Sequence, residues 1–224
     1  ELNFGNNDAL TDLEGLGSLT SVGGDLSISD NGALTSLGGL EGISTIGGGL
    51  DVLGNSALSS LEALSGTTSV SGDLSIRHTS LTTLGGLDNI TAVGGNLHIE
   101  LNSALTSLEG LDNITTVGGD LIIKGNDALT SLEGLERITT VEGDLSIQQN
   151  DAVLSLEGLT GLSSIGGSLN IEDSPMVSLE GLDSLVAVGG LAIRYNKALS
   201  SLEALHRVSA VDGELSLQGN RSLT

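Results

Sequence analysis

The sequence predicts a right-handed β-solenoid, an array of coils of about 24 residues that stack to give one parallel β-sheet face. Three observations carry that expectation. A unit read from Gly119 to Gly143, GDLIIKGNDALTSLEGLERITTVEG, recurs along the whole chain. Its first leucine falls at Leu2, Leu26, Leu50, Leu74, Leu97, Leu121, Leu145, Leu169, Leu191 and Leu215, so the spacing is 24 except for 23 after Leu74 and 22 after Leu169. The 224 residues include 34 glycines but one Phe, one Tyr, no Trp and no Cys, so aliphatic columns must fill the interior in place of aromatic anchors or disulfides. Residues 1–224 therefore read as a single repeat domain of nine complete coils plus the start of a tenth, with no visible end caps.

Each part of the coil has its own pattern. In Asp120-Leu121-Ile122-Ile123-Lys124 the apolar pair Leu121 and Ile123 is two apart, as are Leu26 and Ile28, which places the pair on one face of a strand. An asparagine follows at the first corner, at Asn7, Asn31, Asn55, Asn102, Asn126, Asn150, Asn196 and Asn220, where its short amide can bond the turn backbone and its neighbours in the column. The period then becomes three: Leu129, Leu132, Leu135, Ile138 and Val141 fit a 3₁₀-like course that turns one side chain inward per three residues. A Gly-Gly pair, as at Gly94-Gly95 and Gly118-Gly119, marks the corner before the next strand. Two coils are one residue short between strand and first leucine (Ile76 to Leu81, Ile171 to Met176); they carry Thr79 and Ser174-Pro175 where others have Asn, and the shorter turn is expected to have no slot for the amide. A unit this short cannot bury its own leucines, so coils stack, and at about 4.8 Å per coil ten of them make a rod roughly 45–50 Å long.

The pattern L-x-I-x-x-N-x-x-L followed by L-x-x-L-x-x-L-x-x-I-x-x-V-G-G, as in Leu121-x-Ile123-x-x-Asn126-x-x-Leu129 with Ile138-x-x-Val141, resembles the receptor L-domain, a relative of leucine-rich repeats. The resemblance covers essentially the whole chain. Relatives of this kind stand in the ectodomains of insulin- and epidermal-growth-factor-type receptors, in fungal cell-wall proteins and in bacterial surface proteins. Cysteine-rich modules are missing here and the repeats are far more uniform than in animal receptors, so what the resemblance implies is a secreted or surface-exposed bacterial array of binding, adhesive or structural character.

Net charge narrows the partners. Seven Lys+Arg against 29 Asp+Glu leave −22, which repels phosphate backbones and anionic membranes, so neither nucleic acid nor a membrane surface is an expected partner. No run of eighteen apolar residues exists, and the chain opens at Glu1 without an initiator Met or signal sequence, as a mature segment or a fragment would. No G-x-S-x-G, H-E-x-x-H or phosphate loop appears, so no enzyme and no cofactor is expected.

Function is sought on the outward strand positions, the least repetitive columns. One reads Asn3, Ser27, Asp51, Ser75, His98, Ile122, Ser146, Asn170, Ala192, Ser216; the next reads Gly5, Ser29, Leu53, Arg77, Glu100, Lys124, Gln148, Glu172, Arg194, Gln218. The candidate ligand-binding face comprises Arg77, His98, Glu100, Lys124, Gln148, Glu172 and Arg194, with Tyr195 one residue beyond. A blander explanation is that charges alternate along the column to relieve repulsion in a sheet bordered by Asp25, Asp73, Asp120 and Asp144. A second surface column, Glu14, Glu62, Glu109, Glu133, Glu157, Glu180 and Glu203, carries a repulsion of about 0.9 kcal/mol per neighbouring pair in water. Calcium bridging would explain it, but solubility is the favoured reason and no metal site is assigned. The expected partner is an extracellular protein or glycan, bound by an adhesion or recognition module at the cell surface. The alternative is copies of the chain stacked end to end, since neither terminus carries a polar cap. Threonine-rich sites such as Thr115-Thr116 and Thr139-Thr140 raise ice binding as a third, weaker idea, held back because flatness is not assured in the period-three segment. Asn89, Asn113 and Asn220 match the glycosylation acceptor pattern, which the repeat generates by itself.

Overall fold

A computed structural model describes residues 1–224 as a parallel β-solenoid with coils about 24 residues apart. Ten strands run up one side of the rod: Leu2–Gly5, Leu26–Ser29, Leu50–Leu53, Leu74–Arg77, Leu97–Glu100, Leu121–Lys124, Leu145–Gln148, the latter parts of Ser164–Glu172 and Ala187–Arg194, and Leu215–Gln218. We number coils 1 to 10 by these strands. Pairing is parallel and in register, with Leu121 opposite both Leu97 and Leu145. The inward columns form a continuous cluster of 55 buried residues, all aliphatic apart from Met176. Phe4 is only partly buried and Tyr195 is exposed, so no aromatic ring fills the core.

The chain leaves every strand through a left-handed residue. Asn6, Asp30, Gly54, His78, Leu101, Gly125, Gln149, Asp173, Tyr195 and Gly219 have φ between 49° and 69°, one per coil. Glycine takes this conformation freely, whereas a β-carbon costs about 1–2 kcal/mol. The asparagine follows, and it works twice. Asn126 Nδ2 donates to Ile99 O at 2.9 Å, and its Oδ1 accepts the Asn102 N–H at 3.1 Å. Interior members such as Asn31, Asn55, Asn102 and Asn150 are wholly buried, so the ladder satisfies polar groups that the corner would otherwise strand.

The slot does exist in the short coils. Thr79 and Ser174 are buried in the same column; the Thr79 N–H and Oγ both bond Asn102 Oδ1, at 3.0 and 2.8 Å, and the Ser174 N–H bonds Asn196 Oδ1 at 3.1 Å. What a hydroxyl cannot do is reach down to the coil before. Asn55 and Asn150 therefore donate no N–H to the next corner, and the ladder is divided into Asn7–Asn55, Thr79–Asn150 and Ser174–Asn220. Coil 8 loses a second residue before the strand of coil 9, where a register shift between Ile165 and Ser168 sets Ser168 opposite Gly190.

Through the period-three stretch most inward residues bond the one three back, as Leu105 N does to Asn102 O, Leu111 N to Leu108 O and Ile114 N to Leu111 O, whereas the second leucine can bond the next coil instead, as Leu84 N does to Glu109 O. In four coils this tightens into a 3₁₀ turn, at Glu14–Leu16, Glu62–Leu64, Glu157–Leu159 and Glu203–Leu205. The sheet face predicted from the sequence has a companion. Two-residue strands at Ser21–Val22, Thr45–Ile46, Ser69–Val70, Ala92–Val93, Thr116–Val117 and Thr140–Val141 stack in parallel at the far corner and join the main sheet through Ser164–Glu172. The Thr-rich sites therefore do lie on a regular sheet. The hydroxyls of Ser44, Thr68, Thr115, Thr139 and Ser163 donate to the carbonyl one coil earlier, as Thr68 does to Ser44 O at 3.1 Å, so they serve the stack.

The corner after this second sheet carries its own ladder. Asp73 Oδ1 accepts from Asn96 N, Asn96 Oδ1 from Asp120 N, Asp120 Oδ1 from Asp144 N and Asp144 Oδ1 from Ser168 N, each at 2.7 Å. These aspartates are thus turn ladders as well as a charged border. The ladder also explains the second glycine of the pair: a β-carbon on Gly95 would overlap Asp73 Oδ1, so the constraint there is clearance and not a left-handed φ.

Candidate functional site

The outward face of the main sheet is denser than simple alternation implies. Ser75, Ser146, Ala192 and Ser216, which point away from the core, are nonetheless buried by the longer side chains beside them. The eight candidate residues fall into two groups along the rod, with Arg194 at the end.

The first group lies on coils 3 to 5. Parallel register sets Asp51, Ser75 and His98 side by side, with Leu53, Arg77 and Glu100 beside them in the next column. Arg77 does not pair along its own column with Glu100, as the alternating-charge explanation supposes. Its Nη2 reaches diagonally to Asp51 Oδ1 at 3.0 Å, across Ser75. His98 Nδ1 stands 3.8 Å from Glu100 Oε1. Three buried side-chain atoms lack any hydrogen-bond partner, and all three are here: Ser75 Oγ, Arg77 Nε and His98 Nε2. Buried polar groups are almost always satisfied, so three together on an outward face mark a place where a ligand or water would complete the bonding. His78 and Leu101 occupy the adjacent left-handed corners, flanked in that column by Gly54 and Gly125; Leu101 is 45% exposed.

The second group lies on coils 6 to 9. Lys124, Gln148 and Glu172 line a shallow depression of about 320 Å³ together with Gln149, Asp173, Tyr195 and Lys197. An adjoining depression of about 300 Å³ is lined by Asp151, Asp173, Ser174, Pro175, Tyr195, Lys197 and Ala198. Asp173, Tyr195 and Lys197 border both. Arg194 stands apart from this group: its Nη2 pairs with Glu214 and its Nε donates to Ser216 Oγ at 3.1 Å, which ties coil 9 to coil 10. Lys124 makes no ion pair.

Sequence reasoning overlooked Ser75, Gln149, Asp173 and Lys197 at these sites. The available signal was the corner column next to the variable strand column, whose members change from Asn and Gly to His, Leu, Gln and Tyr. No group of three or more His, Asp or Glu side chains is placed to hold an ion. Glu62, Glu109 and Glu203 instead take a local cap, their N–H bonding the hydroxyl of Ser60, Ser107 or Ser201 two residues back. Of the glycosylation acceptors, Asn220 is a rung of the ladder, its Nδ2 donating to Ile193 O at 2.8 Å. Asn89 and Asn113 donate to the carbonyls of Ser65 and Asp88 on the outer surface. No helix is long and apolar enough to cross a membrane.

No protein-family model matches the chain, and no curated protein matches it. Among solved structures it is similar to the functional domain of InlJ from Listeria monocytogenes, described as including a cysteine ladder, at 14% identity over 86% of this chain and with a TM-score of 0.23. The chain spans 57% of the length of that structure.

Proposed function

We propose that the chain is a non-catalytic recognition or adhesion module of the extracellular or cell-surface type, of the receptor L-domain branch of leucine-rich-repeat-like solenoids. Its main sheet face is the ligand-contacting surface, and its partner is an extracellular protein or glycan. The observation that carries this role is the meeting of Ser75 Oγ, Arg77 Nε and His98 Nε2, buried and unpartnered, on a face that faces solvent. The scaffold supports it: the inward columns repeat nearly unchanged, while the outward strand column and the corner beside it vary from coil to coil. With one tyrosine and no tryptophan, the face suits polar or multivalent contacts more than a tight apolar anchor. The test is a glycan and protein-ligand screen of the chain beside a variant with Arg77, Lys124 and Arg194 reversed in charge. The expected result is a ligand that the wild type binds and the variant does not, with both unfolding at similar temperature. A ligand held equally by both would remove the role from this face.

End-to-end association is a second role, favoured by one observation. Leu215 and Leu217 on coil 10 are 63% and 42% exposed, whereas their counterparts Leu145 and Ile147 are wholly buried. A further coil with the same columns, from the same chain or from another copy, would cover them. Sedimentation at high concentration decides it, and monodisperse monomers would sink polymerisation.

A further inference from the structure

We propose that the notch over the shortened coil 8 is a subsite for a neutral, hydroxyl-rich sugar, with Tyr195 as its stacking platform. The inference rests on the recognition role above and names the ligand class.

The notch arises from the missing residue. With one residue fewer between Ile171 and Met176, the corner of coil 8 is shorter than those of its neighbours, and Asp151 of coil 7 and Lys197 of coil 9 stand on either side of the recess. Coil 4 has the same deletion, but there Ser80 Oγ donates to Ser56 O at 2.6 Å and binds the short corner to coil 3. The residue equivalent to Ser80 in coil 8 is Pro175, which has no donor to offer.

Tyr195 then supplies the platform. It holds a left-handed φ of 60°, a conformation that a bulky residue adopts at a cost, and it is 49% exposed. Its ring leans over Gly219, where a β-carbon would meet Cδ1 at 2.6 Å, so one side is braced and the other borders both depressions. The rest of the lining selects the ligand. Two amides, Gln148 and Gln149, can each donate and accept; Glu172, Asp173 and Asp151 accept; Lys124 and Lys197 donate. Three carboxylates against two ammonium groups, on a chain of net charge −22, disfavour an anion. In the larger recess Tyr195 is the only hydrophobic residue among seven, the others being amides, carboxylates and lysines, which disfavours a lipid or an apolar protein anchor. A pyranose ring offers an apolar face to the tyrosine and vicinal hydroxyls to the amides and carboxylates.

The chain has a built-in reporter, since Tyr195 is its only tyrosine and there is no tryptophan. Wild-type protein is titrated with neutral gluco-, galacto- and manno-configured oligosaccharides, and with polygalacturonate oligomers as an acidic arm, following tyrosine emission. Affinities are then compared by calorimetry for wild type, Tyr195→Gly and Arg77→Gln. Expected are a change in emission with at least one neutral sugar and a loss of about tenfold or more in affinity for Tyr195→Gly. Glycine suits the left-handed corner, so this variant keeps its fold and melts no lower than wild type. A sugar that binds Tyr195→Gly as well as wild type but is lost in Arg77→Gln overturns the notch and leaves the recognition face standing. Binding of the acidic oligomers alone overturns the ligand class, and silence across the whole panel overturns the sugar subsite. The wider role then stands or falls on the protein-ligand screen.

Discussion

Coils 4 and 8 suffer the same deletion and resolve it differently. In coil 4, Thr79 rejoins the asparagine ladder through both its N–H and its hydroxyl, and Ser80 bonds the corner to coil 3. In coil 8, Ser174 rejoins by its N–H alone, its hydroxyl turning back to Glu172 O at 3.2 Å, and Pro175 has no donor with which to bond coil 7. Met176 takes the leucine position behind it, a flexible side chain suited to an irregular gap. The two shortened corners thus differ in whether the next side chain donates a hydrogen bond to the preceding coil.

The sharpest test of this contrast is an intact corner. Asn126→Ala removes the bond to Ile99 O and leaves the buried Asn102 N–H without its acceptor, so a loss of about 3 kcal/mol is expected by denaturant titration. Thr79→Val should cost about 1 kcal/mol, because only its hydroxyl bond to Asn102 is lost, and Ser174→Ala should cost less still, because that hydroxyl does not join the ladder. Equal losses at Asn126 and Thr79 would mean that the ladder contributes nothing beyond local turns. Tyr195→Gly should gain roughly 0.5 kcal/mol: relief of about 1–2 kcal/mol of left-handed strain exceeds the extra chain entropy of glycine. Pro175→Ser, which copies coil 4, should change stability by less than about 0.5 kcal/mol, as a new hydrogen bond offsets the freedom returned to the unfolded chain. If it also closes the recess, sugar affinity falls without any change in melting.

Much of this architecture was legible because identical columns impose identical spacing. The inward positions followed from the change of period at each corner, and the 3₁₀ character followed from strict threes. The second row of strands did not, since a pair such as Thr116-Val117 is too short for alternation to show. Nor did the left-handed corners: Asn6, Asp30 and His78 are of types that tolerate that conformation, but Leu101, Gln149 and Tyr195 belong to types that avoid it and signal nothing by themselves. Aspartates at the other corner looked like a charged border because a carboxylate that accepts a backbone N–H one coil away has no local sequence mark. At the candidate site, the variable column marked the outward strand face, while the division into an orphaned polar cluster and a notch depends on which way long side chains lie across the sheet.

The divided ladder has a mechanical meaning. Where the corner chain runs unbroken, within Asn7–Asn55, Thr79–Asn150 and Ser174–Asn220, adjacent coils are clamped at the strand and again at the corner. Between Asn55 and Thr79 the Ser80 hydroxyl supplies a substitute clamp by bonding Ser56 O, whereas between Asn150 and Ser174 no corner side chain does so. Under axial tension, such a rod yields first at the seam between coils 7 and 8, parting into two blocks and leaving each block wound.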